Sequence, residues 1–183
     1  MKPKPILFSG AMVRAILAGE KTQTRRVVKD PRRYGLTDER MVIGHRRNLP
    51  YVVGQILWVR ETFNADWCDH VIYRADGGAA RDAGYSAEPR WRPSIFMPRS
   101  SSRITLRVTD VRVERLQGIT VHDIRLEGIG GPAHDGPGPR CSSECSSLRL
   151  AWATAWDSLN AKRGHGWEKN PWVWVVSFRR LSP

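Results

Sequence analysis

Near the N-terminus one short stretch of helical periodicity is bracketed by explicit punctuation, Ser9 before it and Gly19 after it, with an apolar run on either side. A serine hydroxyl caps a helix start, and a glycine ends a helix in a left-handed turn. The pattern predicts a strand over residues 5–8, a helix over about 10–18, and a strand over 23–28. Met12 and Ile16 face inward on that helix, with Val13 and Leu17 at the edges of the same stripe.

The remaining elements follow from similar signals. Residues 56–59 and 70–74 read as short strands, and 103–114 as a half-buried strand whose alternation slips near Asp110, the mark of a bulge. Thr120 and Asp123 have the spacing of a capping box, with Ile119 and Ile124 as its hydrophobic staple and Gly128 as the stop. A longer helix over 146–162 carries Leu148, Trp152, Ala155, Trp156 and Leu159 on one face. Residues 172–178 close the set as a β-branched and aromatic strand. Strands without regular βαβ alternation indicate an α+β fold, a small, partly closed barrel flanked by about three helices. At 183 residues the chain fits one domain, 1–183, with surface excursions near 29–52, 64–100 and 129–145.

Charge bears on the partner. The formal net charge of +12 favours polyanions, although the skew of 24 arginines to six lysines also suits a GC-rich genome. No run approaches the ~20 apolar residues of a membrane span, and prolines with Arg14 interrupt any leader-like core. The expectation is a cytoplasmic protein with no membrane and no evident protein partner. Cys68, Cys141 and Cys145 are odd in number, and Cys141-x-x-x-Cys145 with His134 lacks the paired spacing and fourth ligand of a zinc site. No metal and no cofactor are expected.

The chemistry-bearing stretch is Gly19-Glu20-Lys21-Thr22-Gln23-Thr24-Arg25-Arg26. Alternation puts Thr22, Thr24 and Arg26 on one strand face, with Lys21 close behind in the turn. Such a cluster can hold a phosphate or a base edge, or polarise a carbonyl. Lysine differs from arginine in that burial can deprotonate it, which makes Lys21 a candidate base. Glu127 is a candidate acid, because a carboxylate at a helix C-terminus works against the macrodipole.

Gly19-x-Lys21-x-x-Thr24-x-Arg26 resembles the signature of the ASCH superfamily, whose members resemble the RNA-binding PUA barrel. The Gly54-led strand running to Arg60-Glu61, the Glu127-Gly128 helix end and the C-terminal strand follow in the order of that family. The resemblance implies a PUA-like α+β fold. It also implies an amidohydrolase resembling the bacterial N4-acetylcytidine enzymes, with Lys21, Thr24 and Glu127 as the catalytic residues. Thr24 would attack the acyl carbonyl, Lys21 would activate it, and Glu127 would move protons. Arg26, Arg60, Glu61 and Trp91 are the candidate substrate-binding residues, although Arg60-Glu61 can equally form an internal ion pair. Trp91 stands among Arg90, Arg92 and Arg99, and Arg32, Arg33, Arg46 and Arg47 add to the basic surface. A modified nucleoside or RNA is the expected partner. The alternatives are a PUA-like RNA-binding module without chemistry and a metal-independent ribonuclease using the same pocket.

Overall fold

The computed structural model describes residues 1–36, 49–65, 70–77, 89–130 and 142–181. Cys68, His134, Cys141, Arg46 and Arg47 lie outside the described residues, as does the side chain of Cys145.

Strand β1 (Lys4–Leu7) leads into helix α1 (Gly10–Leu17), whose Ser9 cap accepts the amide of Met12. Gly19, at φ +79°, turns the chain back into β2 (Gln23–Val27). Strand β3 (Ile56–Arg60) is followed by the small pair β4 (Phe63–Asn64) and β5 (Ile72–Tyr73). The long strand β6 (Thr105–Arg115) precedes helices α2 (Val121–Leu126) and α3 (Ser142–Asn160), and β7 (Trp172–Leu181) ends the fold. The main sheet has the order β1-β3-β6-β7-β2, parallel only between β1 and β3. With three α-helices among the described residues, this is a mixed-sheet α+β fold. Its two edge strands are linked where Arg26 Nη2 of β2 donates to the Leu7 carbonyl of β1 at 2.6 Å.

Period-two alternation divides β7 between two cores. Trp174, Val176 and Phe178 join Phe8, Ile16, Leu57, Val59 and Leu106 on one face. Val173 and Val175 face the other way, toward Ile119, Ile124, Trp152 and Trp156 of the helical layer. The register of β6 against β7 shifts between Val108 and Asp110, where the alternation of the sequence slips.

Helix α3 differs from its sequence reading. Trp152 and Trp156 are buried and stacked at 5.3 Å between centroids, but Ala155 and Leu159 are exposed and Ala153 is buried instead. The two indoles cover the contact with the sheet, so the buried stripe rotates toward Ala153 and leaves the 155/159 flank in solvent.

Candidate functional site

The site begins with the row geometry of the sheet. Val175 of β7 pairs with Arg25 on one side and Arg112 of β6 on the other, so both guanidiniums rise from the helix-covered face. Two cations under a helix layer demand counter-charge, and three carboxylates supply it. Arg25 Nη2 lies 2.5 Å from Glu114 Oε1 and 3.3 Å from Asp123 Oδ2, and its Nη1 lies 3.2 Å from Glu127 Oε1. Gln23 Oε1 accepts from the same Nη1 at 2.7 Å. Arg112 completes the ring, donating to Asp123 Oδ1 at 2.7 Å and Glu114 Oε2 at 3.2 Å.

Helix α2 delivers two of those carboxylates. Thr120 accepts the Asp123 amide and Asp123 reaches back to the Thr120 amide, so the capping box fixes the helix start. Asp123 and Glu127, four residues apart, share the face turned to Arg25. Burial works against the Asp123 carboxylate, but the Thr120 hydrogen bonds with Arg25 and Arg112 hold its pKa at about 2.

Glu127 is the C-cap of α2, one position beyond its last turn. There it forms an antiparallel bridge with Lys21, and the Thr22 amide donates to the Leu126 carbonyl at 2.9 Å. The next residue, Gly128, has φ +83°, and a Cβ on it would stand 2.8 Å from the Ala15 Cβ and 3.2 Å from that of Lys21. Glycine is required for this close approach.

All three donors of the Lys21 ammonium are used: Glu127 Oε2 at 2.7 Å, the Glu127 carbonyl at 2.9 Å and the Gln23 carbonyl at 2.8 Å. Lys21 is 2% exposed. Burial pushes its pKa below the ordinary lysine value; the Glu127 carboxylate opposes the shift, and Arg26 and Arg25 reinforce it.

Thr24 and Arg26 occupy the opposite face of β2. Thr24 pairs with Val176 and Arg26 with Trp174, both members of the core that contains Phe8. Phe8 joins the two faces, because its ring centroid lies 5.7 Å from Lys21 Nζ and 5.2 Å from Arg26 Cζ. Thr24 is buried. Arg26 Nε is buried without an acceptor. Tyr51 lies close enough for the Arg26 charge to matter: burial pushes the phenol up, and Arg26 opposes it.

The structure therefore brings Lys21 and Glu127 together and sets Thr24 and Arg26 on the opposite face of β2. Arg60 and Glu61 do not pair with each other. Glu61 receives Arg103 Nε at 2.9 Å and Nη2 at 3.0 Å, while Arg103 also grips Asp76. Burial raises the Glu61 pKa, and Arg103 opposes the rise. Arg60 lies over the Trp58 ring at 4.7 Å and donates to the Ile95 carbonyl. Trp91 lines a separate open cleft with Arg90, Arg92, Pro93 and Phe96.

Sequence reasoning missed Arg25, Gln23, Arg112, Glu114, Phe8 and Tyr51. One signal was available: Arg25 shares its strand face with Val27, so a face destined for a helix already held a cation needing acids. Among the described residues no three His, Cys, Asp or Glu side chains are arranged to hold a metal ion, and no helix is long and apolar enough to cross a membrane.

No family model matches the sequence, and no curated protein matches it. Among the solved structures similar to it are two bacterial proteins. One is an ASCH domain from Lactobacillus crispatus, 12% identical, with 98% of this chain and 79% of that chain covered at a TM-score of 0.45. The other is a protein from Enterococcus faecalis described by the family DUF984, 11% identical, with 99% and 81% covered at a TM-score of 0.49.

Proposed function

We propose that the chain is an amidohydrolase that removes the acyl group from an N4-acylated cytosine nucleoside or a related modified base. The observation that carries this reading is the buried Lys21–Glu127 pair at 2.7 Å, with the buried Thr24 three residues further along the chain. A lysine whose pKa burial has lowered can serve as a base near neutral pH, and a carboxylate on its ammonium gives the proton somewhere to go.

In this reading one ammonium proton moves from Lys21 Nζ to Glu127 Oε2, and rotation about Cε–Nζ turns the lone pair toward Thr24. Lys21 takes the Thr24 hydroxyl proton as Oγ bonds to the acyl carbonyl carbon. Arg26, with its free Nε, donates to the oxyanion. The carbon–nitrogen bond then breaks, and the exocyclic amine leaves with the proton from Lys21. Water attacks the acyl-threonine ester, giving its proton to the Lys21–Glu127 pair, and Thr24 Oγ is released protonated. The products are the free base amine and a carboxylic acid.

Purified protein incubated with N4-acetylcytidine tests the reading. Cytidine release that is lost in Lys21→Ala supports it; unchanged substrate at high enzyme concentration overturns it.

The cleft lined by Arg90, Trp91, Arg92, Pro93 and Phe96 favours a second reading, RNA binding without chemistry. Phe96 is 71% exposed there, beside exposed arginines, and offers a stacking surface for a base. RNA affinity that falls steeply with salt and survives Thr24→Ala would favour this reading over the enzyme.

A further inference from the structure

Of the two cations in the charge ring that the proposed chemistry does not use, Arg25 and Arg112, Arg25 is the buried one. Arg25 is fully enclosed, and its guanidinium meets carboxylates from two elements: Glu114 of β6, and Asp123 and Glu127 of α2. We propose that Arg25 is a positioning residue: by holding Glu127 Oε1 it aims Oε2 at Lys21 and divides the carboxylate's charge between two cations.

Geometry supports this in three ways. First, the two oxygens of Glu127 are partitioned, Oε1 to Arg25 at 3.2 Å and Oε2 to Lys21 at 2.7 Å, so neither cation has the whole carboxylate. Second, Arg25 cannot follow Glu127 if that side chain moves. Its Nη2 is fixed by Glu114 at 2.5 Å, and Gln23 Oε1 shares its Nη1 at 2.7 Å. Third, the ring balances without Lys21's help being surplus: the cations Lys21, Arg25 and Arg112 face the carboxylates Glu114, Asp123 and Glu127. Removing Arg25 leaves Glu127 with Lys21 as its sole charged partner. The ammonium would then be held more tightly, and its loss of a proton would require a higher pH.

The groups facing Lys21 fix the sign of the effect. Glu127 of α2 favours the ammonium, Arg25 and Arg26 of β2 disfavour it, and the Phe8 ring adds no titrating group. Removing Arg25 takes away one disfavouring charge and concentrates the favouring one. Removing the charge of Glu114 instead frees Arg25 to engage Glu127 more fully, and acts in the opposite direction.

The proposal rests on the site reading above, but its test does not need turnover. With six lysines in the chain, the Lys21 side-chain resonance is assignable by its loss in Lys21→Met and can be titrated by NMR. Arg25→Gln should raise the Lys21 midpoint by about one pH unit or more. Glu114→Gln should lower it, and Arg25→Lys should restore most of the wild-type value. If Arg25→Gln does not fold, Glu114→Gln and Arg25→Lys still carry the test. An unchanged Lys21 midpoint in folded Arg25→Gln, or a rise in Glu114→Gln, overturns the proposal. These readings stand whether or not N4-acetylcytidine is hydrolysed. If it is, the pH at which kcat rises must move with the NMR midpoint, and a pH profile unmoved by Arg25→Gln also overturns it.

Discussion

Lys21 Nζ and Glu127 Oε2 lie 2.7 Å apart although 106 residues separate them in the chain. Their backbones are bridged as well, so the pair is built into the way the end of α2 docks beside β2. Removing either partner leaves a largely buried charge with too few contacts. We expect Lys21→Met to cost about 3–5 kcal/mol of stability by denaturant unfolding, and the Lys21→Met/Glu127→Gln double variant to cost less than the two single changes added together.

Gly128 sets how closely α2 approaches Lys21. Gly128→Ala must adopt φ +83° and place a methyl group 2.8 Å from Ala15 Cβ. Unfolding should show a loss of about 2–3 kcal/mol. Because the displaced residue adjoins Glu127, hydrolysis should fall further than stability alone explains.

Acid should act on the fold through Asp123. Its carboxyl is held at about 2 against an ordinary 3.8, so between those values the unfolded chain binds more protons. That contribution is complete above the ordinary value and is lost as the pH falls toward 2. Stability measured against pH should therefore decline through this window, and Asp123→Asn should flatten that part of the curve.

Away from the site, Glu61 depends on Arg103. Arg103→Leu would leave the Glu61 carboxylate buried without its bidentate partner. We expect a loss of about 2 kcal/mol in denaturant unfolding, reduced because Arg103 is itself part-exposed, with much of it recovered in the Arg103→Leu/Glu61→Gln pair.

The order of elements was largely legible because its signals are local. Ser9, Gly19, the Thr120–Asp123 box and the slip at Asp110 each act within a few residues, and each stands in the structure where its chemistry predicts. The site was legible only in part. Lys21 and Glu127 each stood out by residue type, but their meeting depends on the docking of α2, which no local pattern encodes. Alternation along β2 singles out the face of Thr24 and Arg26, whereas the carboxylates lie on the face of Arg25. Sequence adjacency suggests Arg60 as the partner of Glu61, but the actual partner, Arg103, comes from a loop that only the fold brings near.

The central claim is that Thr24 carries the acyl group while the Lys21–Glu127 pair moves its protons. Intact-protein and peptide mass spectrometry of the protein quenched in acid during turnover of N4-acetylcytidine measures this most directly, with Thr24→Val, close in size but without a hydroxyl, as the control. The account predicts one acetyl group on the peptide containing Thr24, absent from Thr24→Val, which should keep its fold and lose cytidine release. Continued cytidine release by Thr24→Val, or an acetyl group located elsewhere in the chain, would contradict it.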